Sequence, residues 1–214
     1  ILDMGSKIQQ CINTDEYDNI KSVVNDYLKE GIAHTLDETR NLSDSGQFED
    51  ISLQQGIRQI LYPYEEMEVL NPEWEVILKD IIDSLFEQMS DEEYNILNEE
   101  FGTYMVSRAY EYRQLLEYLV FRYFAKSIYD YDFLGKCQML VTNFFVIRQM
   151  DIIRWLDNHR EYSFKDRMDV VHIFSRQVEY SEDNIENLYE DFIFDDIFKT
   201  DSLIAILWID SENI

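Results

Sequence analysis

Phe144-Phe145-Val146-Ile147-Arg148-Gln149-Met150-Asp151-Ile152-Ile153-Arg154-Trp155-Leu156 decides how the chain is read. Together with Met139 upstream, it is apolar on nearly every side of a helical wheel. A helix of that kind belongs at the centre of a bundle, where neighbours cover it all round. Its charged interruptions are Arg148, Asp151 and Arg154, one every three residues. A buried guanidinium without a partner is very costly, so each must find a carboxylate, a carbonyl or a ligand.

Around this segment the chain reads as helix after helix. Asn71-Pro72 is a cap residue followed by proline in the first turn. It opens one stripe through Trp74, Ile77, Leu78, Ile81, Ile82, Leu85, Phe86 and Met89. Ser90 with Glu93 makes a capping box for a helix holding Tyr94, Leu97 and Phe101, which Gly102 is expected to interrupt. Leu115, Leu116, Leu119, Val120, Tyr123, Phe124 and Ile128 form a further helical pattern, and Tyr17, Ile20, Val23, Val24, Tyr27 and Leu28 another. After a loop at Asn158-His159-Arg160, Ser163 with Asp166 opens a helix through Val170, Ile173, Phe174 and Val178, and Ser181 caps one more. Leu203 to Ile209 reads equally as buried helix or strand. The expected fold is all-α, an irregular multi-helix bundle around a central apolar helix. Residues 1–52 are expected to form an N-terminal helical segment with a linker at Asn41–Gln47, and 53–214 the bundle.

The 214 residues include only 6 glycines and 2 prolines, which disfavours a fold of many tight turns. The net charge is −26. A field of that sign repels phosphate backbones and anionic membranes and draws in basic, lysine-bearing partners, so neither nucleic acid nor membrane is expected as a partner. Residues 101–180 stand apart, with 11 basic and 10 acidic side chains. No apolar run reaches the length of a membrane span, and two cysteines, Cys11 and Cys137, fit a reducing compartment.

Chemistry is harder to find. The glycines are scattered singly, so no phosphate-binding or dinucleotide loop is present, and no nucleophile elbow occurs. His34, His159 and His172 lie far apart in sequence. Asp169 and His172 sit one turn apart, but no matching Glu-x-x-His accompanies them, so no metal site is expected and His172 reads as an ordinary helix histidine. The remaining candidates are charged groups: Arg148, Asp151 and Arg154, joined by Arg176 and Glu179 on the next helix and by Arg122 among Tyr118, Tyr123 and Phe124. Two readings stay open. They form an inter-helix ion-pair network that fixes packing, or they line an anion- or carboxylate-binding pocket with aromatic walls such as Trp155.

Three stretches carry a likeness: Leu115–Phe124, Val146–Arg148 with Asp151–Leu156, and Ser175-Arg176-Gln177-Val178-Glu179-Tyr180-Ser181-Glu182-Asp183-Asn184-Ile185-Glu186. Leu70–Trp74 and Ser90–Tyr94 fit more loosely. In order and spacing they resemble the C-terminal part of the bacterial flagellin lysine-N-methylases, over roughly residues 70–190. The resemblance implies a cytoplasmic bacterial protein that assists S-adenosylmethionine-dependent methylation of surface lysines of flagellin. It implies for the full-length family a cysteine-rich N-terminal region holding an iron–sulfur or other metal centre, with no counterpart among the two cysteines here. It also shows a departure, Tyr180 standing where the family usually has histidine. On this reading Arg148, Arg154, Arg176, Arg122 and Trp155 are the ligand-binding candidates, and Glu179 and Asp151 the candidate proton carriers. The rival expectation is a non-catalytic acidic interaction domain for a basic protein.

Overall fold

The computed structural model describes residues 1–29 and 51–212. The helices are α1 (Leu2–Asn13), α2 (17–29), α3 (Leu53–Glu65), α4 (Pro72–Ile81), α5 (Asp91–Met105), α6 (Ala109–Tyr123), the short α7 (Ser127–Asp130), α8 (Phe133–Asp157), α9 (Phe164–Phe174), α10 (Glu182–Phe194) and α11 (Thr200–Glu212). There is no strand among the described residues. The linker expected at Asn41–Gln47 lies outside them.

The axis of the bundle is α8, 25 residues and so about 37 Å long. Its all-round apolar surface is covered by α1, α3, α4, α6, α9, α10 and α11. That covering explains why one helix tolerates Phe145, Val146, Met150, Ile152 and Ile153 on different sides, all buried. α1 packs on α8 and α11, and Leu2 belongs to the same apolar core as Ile60, Ile147 and Leu203.

The caps sit where the residue types place them. Asn71 accepts from the Glu73 amide, and Ser90 and Ser163 form reciprocal boxes with Glu93 and Asp166. Ser181 accepts from the Asn184 amide. His159 and Arg160 turn the chain between α8 and α9 with φ of 56° and 67°.

Two expectations need correction, and one open reading is decided. Gly102 does not interrupt α5, because Tyr94, Leu97, Phe101 and Met105 bury one continuous face that outweighs glycine's cost of about 1 kcal/mol. The break comes at Val106–Arg108, a single 3₁₀ turn. The stripe from Trp74 does not keep α geometry to Met89: beyond Ile81 the backbone widens into a π turn, Ile82–Glu87. A second π turn, Ser175–Glu179, prolongs α9. The ambiguous tail is helix. Leu203, Ile204, Ala205 and Ile206 are consecutive and all buried, a pattern that only the neighbours of α11 explain.

Candidate functional site

The charged residues of α8 do not share one environment. Arg148 is buried, and its Nη1 donates to Asp210 on α11 at 2.6 Å and to Asn98 on α5 at 2.7 Å. Asp151, one turn on, meets different neighbours. It accepts from Tyr112 Oη at 2.7 Å, and from the Tyr162 hydroxyl and Arg167 Nη1. Arg167 also reaches Glu111, which Arg108 clamps with two hydrogen bonds, at 2.8 and 3.0 Å. The Arg167 guanidinium lies 4.2 Å from the Tyr112 ring centre. Burial lifts the Asp151 carboxyl above the ordinary aspartate range even with Arg167 and two phenols opposing it. The same burial raises Tyr112 and Tyr162. Enclosed, mutually paired groups of this kind fix packing, even though Arg148 Nη2 and Arg167 Nη2 are buried without a hydrogen-bond partner among the described residues.

Glu179 occupies a second polar cluster. Tyr118 and Ser175 donate to its Oε2 at 2.8 and 2.6 Å, Tyr123 donates to Oε1 at 3.1 Å, and Arg122 stands 3.7 Å away. Within the wide turn at Ser175–Glu179, Gln177, Val178 and Glu179 are buried in succession. Desolvation, with Glu179 beside it, pushes the Tyr118 phenol up to about 12.

From the same stretch, Gln177 accepts from the Leu70 and Asn71 amides at 2.9 and 3.2 Å and donates to the Glu68 carbonyl at 2.7 Å. Asn184 accepts from the Glu68 amide and donates to its carbonyl, each at 3.0 Å. These bonds fix the loop that launches α4. The stretches that carried the likeness are therefore neighbours in space.

Arg154 goes to a third place. It lines a cleft of about 470 Å³ between α4, α8 and α9, with Glu73, Val76, Ile77 and Asp80 on one wall, Asp157 beside it, and Asp169, His172 and Ile173 opposite. Its guanidinium makes no hydrogen bond or ion pair among the described residues; against the upward push of burial, the Ser163 and Asn158 hydrogen bonds and, after them, the Arg154 field hold Asp166 below the ordinary range. The cleft thus presents four carboxylates, one imidazole and one uncommitted guanidinium. That is a place for a cation, with one anchor for an accompanying anion.

The expected single network of Arg148, Asp151, Arg154, Arg176 and Glu179 is therefore dispersed: Arg148, Asp151 and Glu179 sit in three different polar clusters, Arg154 lines the cleft, and Arg176 joins none of them. Arg176 points outward and is exposed. The aromatic walls are absent from the cleft. Trp155 is buried behind it, packed on Phe101 and Tyr104 with Arg160 over its ring. The reason is angular: residues three apart on a helix diverge by about 60° per step, enough to send successive charges to different neighbours. Sequence reading overlooked Arg167, Glu111 and Asp210, although each lies on a buried stripe. Glu111 precedes Leu115 and Leu119 by four and eight, Arg167 precedes Val170 and Phe174 by three and seven, and Asp210 follows Leu203 and Ile206 by seven and four.

Residues 1–206 match the family described as the FliB lysine N-methylase C-terminal domain. The chain belongs to that family. Nothing matches it among curated proteins or among solved structures. For this FliB C-terminal domain two groups implied by the family can be tested against the residues present. A metal centre does not fit the described residues: Cys11 and Cys137 are separate, buried thiols, and no grouping of three or more His, Cys, Asp or Glu side chains is placed to hold an ion. The methyl donor does not fit the cleft either, whose apolar lining is only Val76, Ile77 and Ile173, with no aromatic slot for a base and no glycine-rich turn. No described helix is long and apolar enough to cross a membrane.

Proposed function

We propose that this chain assists the methylation of lysines on a protein substrate, flagellin, by receiving the substrate lysine in the cleft between α4, α8 and α9. The observation that carries the reading is the cleft's charge: Glu73, Asp80, Asp157 and Asp169 around a pocket of about 470 Å³, in a domain of the lysine N-methylase family. A lysine entering from water arrives as an ammonium ion, which such a set of carboxylates attracts and orients. Methyl transfer needs the neutral amine, so the ammonium must lose a proton once docked. His172 at the rim and the neighbouring carboxylates are the cleft's own proton acceptors. Arg154 holds an anionic group that flanks the lysine. The transferable methyl comes from S-adenosylmethionine bound outside this cleft. Glu179, with hydrogen-bond donors on both of its oxygens, serves to position α6 against the α9 extension.

Calorimetry with a lysine-bearing flagellin peptide tests this. Binding is expected with strong salt dependence, weakened by at least about tenfold in Asp157→Asn/Asp169→Asn and lost when the peptide lysine is replaced by glutamine. Equal affinity for both peptides, or no effect of the paired substitutions, would overturn the assignment of the cleft. Heat from S-adenosylmethionine alone that Arg154→Ala abolishes would place the donor there instead.

A further inference from the structure

The outward face of α6 carries apolar side chains that no described element covers. Phe121 is 81% exposed and Tyr110 56%. Phe121, Val120, Leu116 and Ala109 line a shallow groove of about 720 Å³ running along the helix. An apolar strip of this kind on an otherwise charged protein marks an interaction surface. In its middle Arg113 Nε donates to Glu117 Oε1 at 2.9 Å, with the side chains 81% and 63% exposed.

We infer that this face docks a second copy of the chain, α6 against α6, antiparallel across a two-fold axis at the level of Leu115. In such a crossing, residues equally far before and after the axis meet. Arg113 then faces Glu117 of the second copy, and the second copy's Arg113 faces Glu117. Small Ala109 faces bulky Phe121, and Tyr110 faces Val120. Opposite charges and large-against-small apolar pairs thus fall on each other by symmetry, which is what an isologous contact requires.

Charge also selects this face and this occupant. The chain carries −26 in total, but residues 101–130 hold four basic side chains (Arg108, Arg113, Arg122, Lys126) and three acidic ones (Glu111, Glu117, Asp130), a net of +1. Salt screens charges beyond about 8 Å under physiological conditions, so the local balance governs the approach. Two copies meet here without the repulsion that the rest of the surface imposes. A strongly basic partner is drawn to the acidic faces instead.

Sedimentation equilibrium on the 214-residue chain over about 1 to 200 µM tests the inference. The wild type is expected to dimerise reversibly. Phe121→Arg is expected to leave a helical monomer, since the side chain it replaces is exposed. Arg113→Glu and Glu117→Arg are each expected to weaken the dimer by at least about tenfold, and mixing the two singles is expected to restore it as a heterodimer. The mixture decides, because neither copy can then rebuild the pair within its own helix. A wild type monomeric throughout, a Phe121→Arg dimer as tight as wild type, or a mixture that fails to associate each overturns the inference.

Discussion

Replacing Arg167 by Met would remove the one cation that opposes Asp151 in the interior. Arg167 is 4% exposed and Asp151 0%, so no water takes the guanidinium's place. Breaking a buried ion pair from one side costs about 3–5 kcal/mol, because the surviving charge is left uncompensated. Glu111 does not add much, since Arg108 keeps it paired through two hydrogen bonds. Asp151 retains only Tyr112 and Tyr162 as donors.

The cost should depend on pH, and its sign follows from linkage. Burial already raises the Asp151 carboxyl above its ordinary value of 3.8, against the pull of Arg167. Without Arg167 it rises further, while the unfolded chain is unchanged. As pH falls, the folded variant takes up the Asp151 proton before the unfolded chain does, so its stability recovers on acidification. Urea unfolding should therefore show a loss of about 3–5 kcal/mol at pH 7 and a smaller loss at pH 5. Asp151→Asn in the same background should return part of the stability, because the amide carries no charge to strand. A loss below about 1 kcal/mol, or one equal at both pH values, would refute the account of the Asp151 environment.

Gly5 sits where an added Cβ would lie 2.6 Å from Cys137 Sγ, so Gly5→Ala should prise α1 from α8 and cost about 1–3 kcal/mol in thermal or urea unfolding. The buried Cys137 thiol, raised to about 11 by desolvation, should resist alkylation at neutral pH in the wild type and react faster in that variant. Tyr118 should ionise near pH 12 rather than 10, so difference absorbance between wild type and Tyr118→Phe should show the missing phenolate only above about pH 11. Because the folded phenol is the harder one to ionise, its contribution to stability is whole below pH 10 and fades as pH climbs through 12.

Much of this was legible before any coordinates. The all-round apolarity of Met139–Leu156 made that segment the axis, since only a surrounded helix can hide residues on every side. The caps at Asn71, Ser90, Ser163 and Ser181 were equally plain, because capping is decided within four residues. The tail from Leu203 was ambiguous for the opposite reason: a short apolar run takes the geometry its neighbours impose.

The polar residues mark the boundary more sharply. Sequence determined that Arg148, Asp151 and Arg154 would need partners, because desolvating a charge is costly wherever it happens. Only the tertiary structure decided which partners: Asp210 and Asn98 for the first, Arg167 and two phenols for the second, and an open acidic cleft for the third. Spacing along one helix fixes the angle at which a side chain leaves it. What stands at the end of that angle belongs to other helices, and their positions follow from the packing of the whole core.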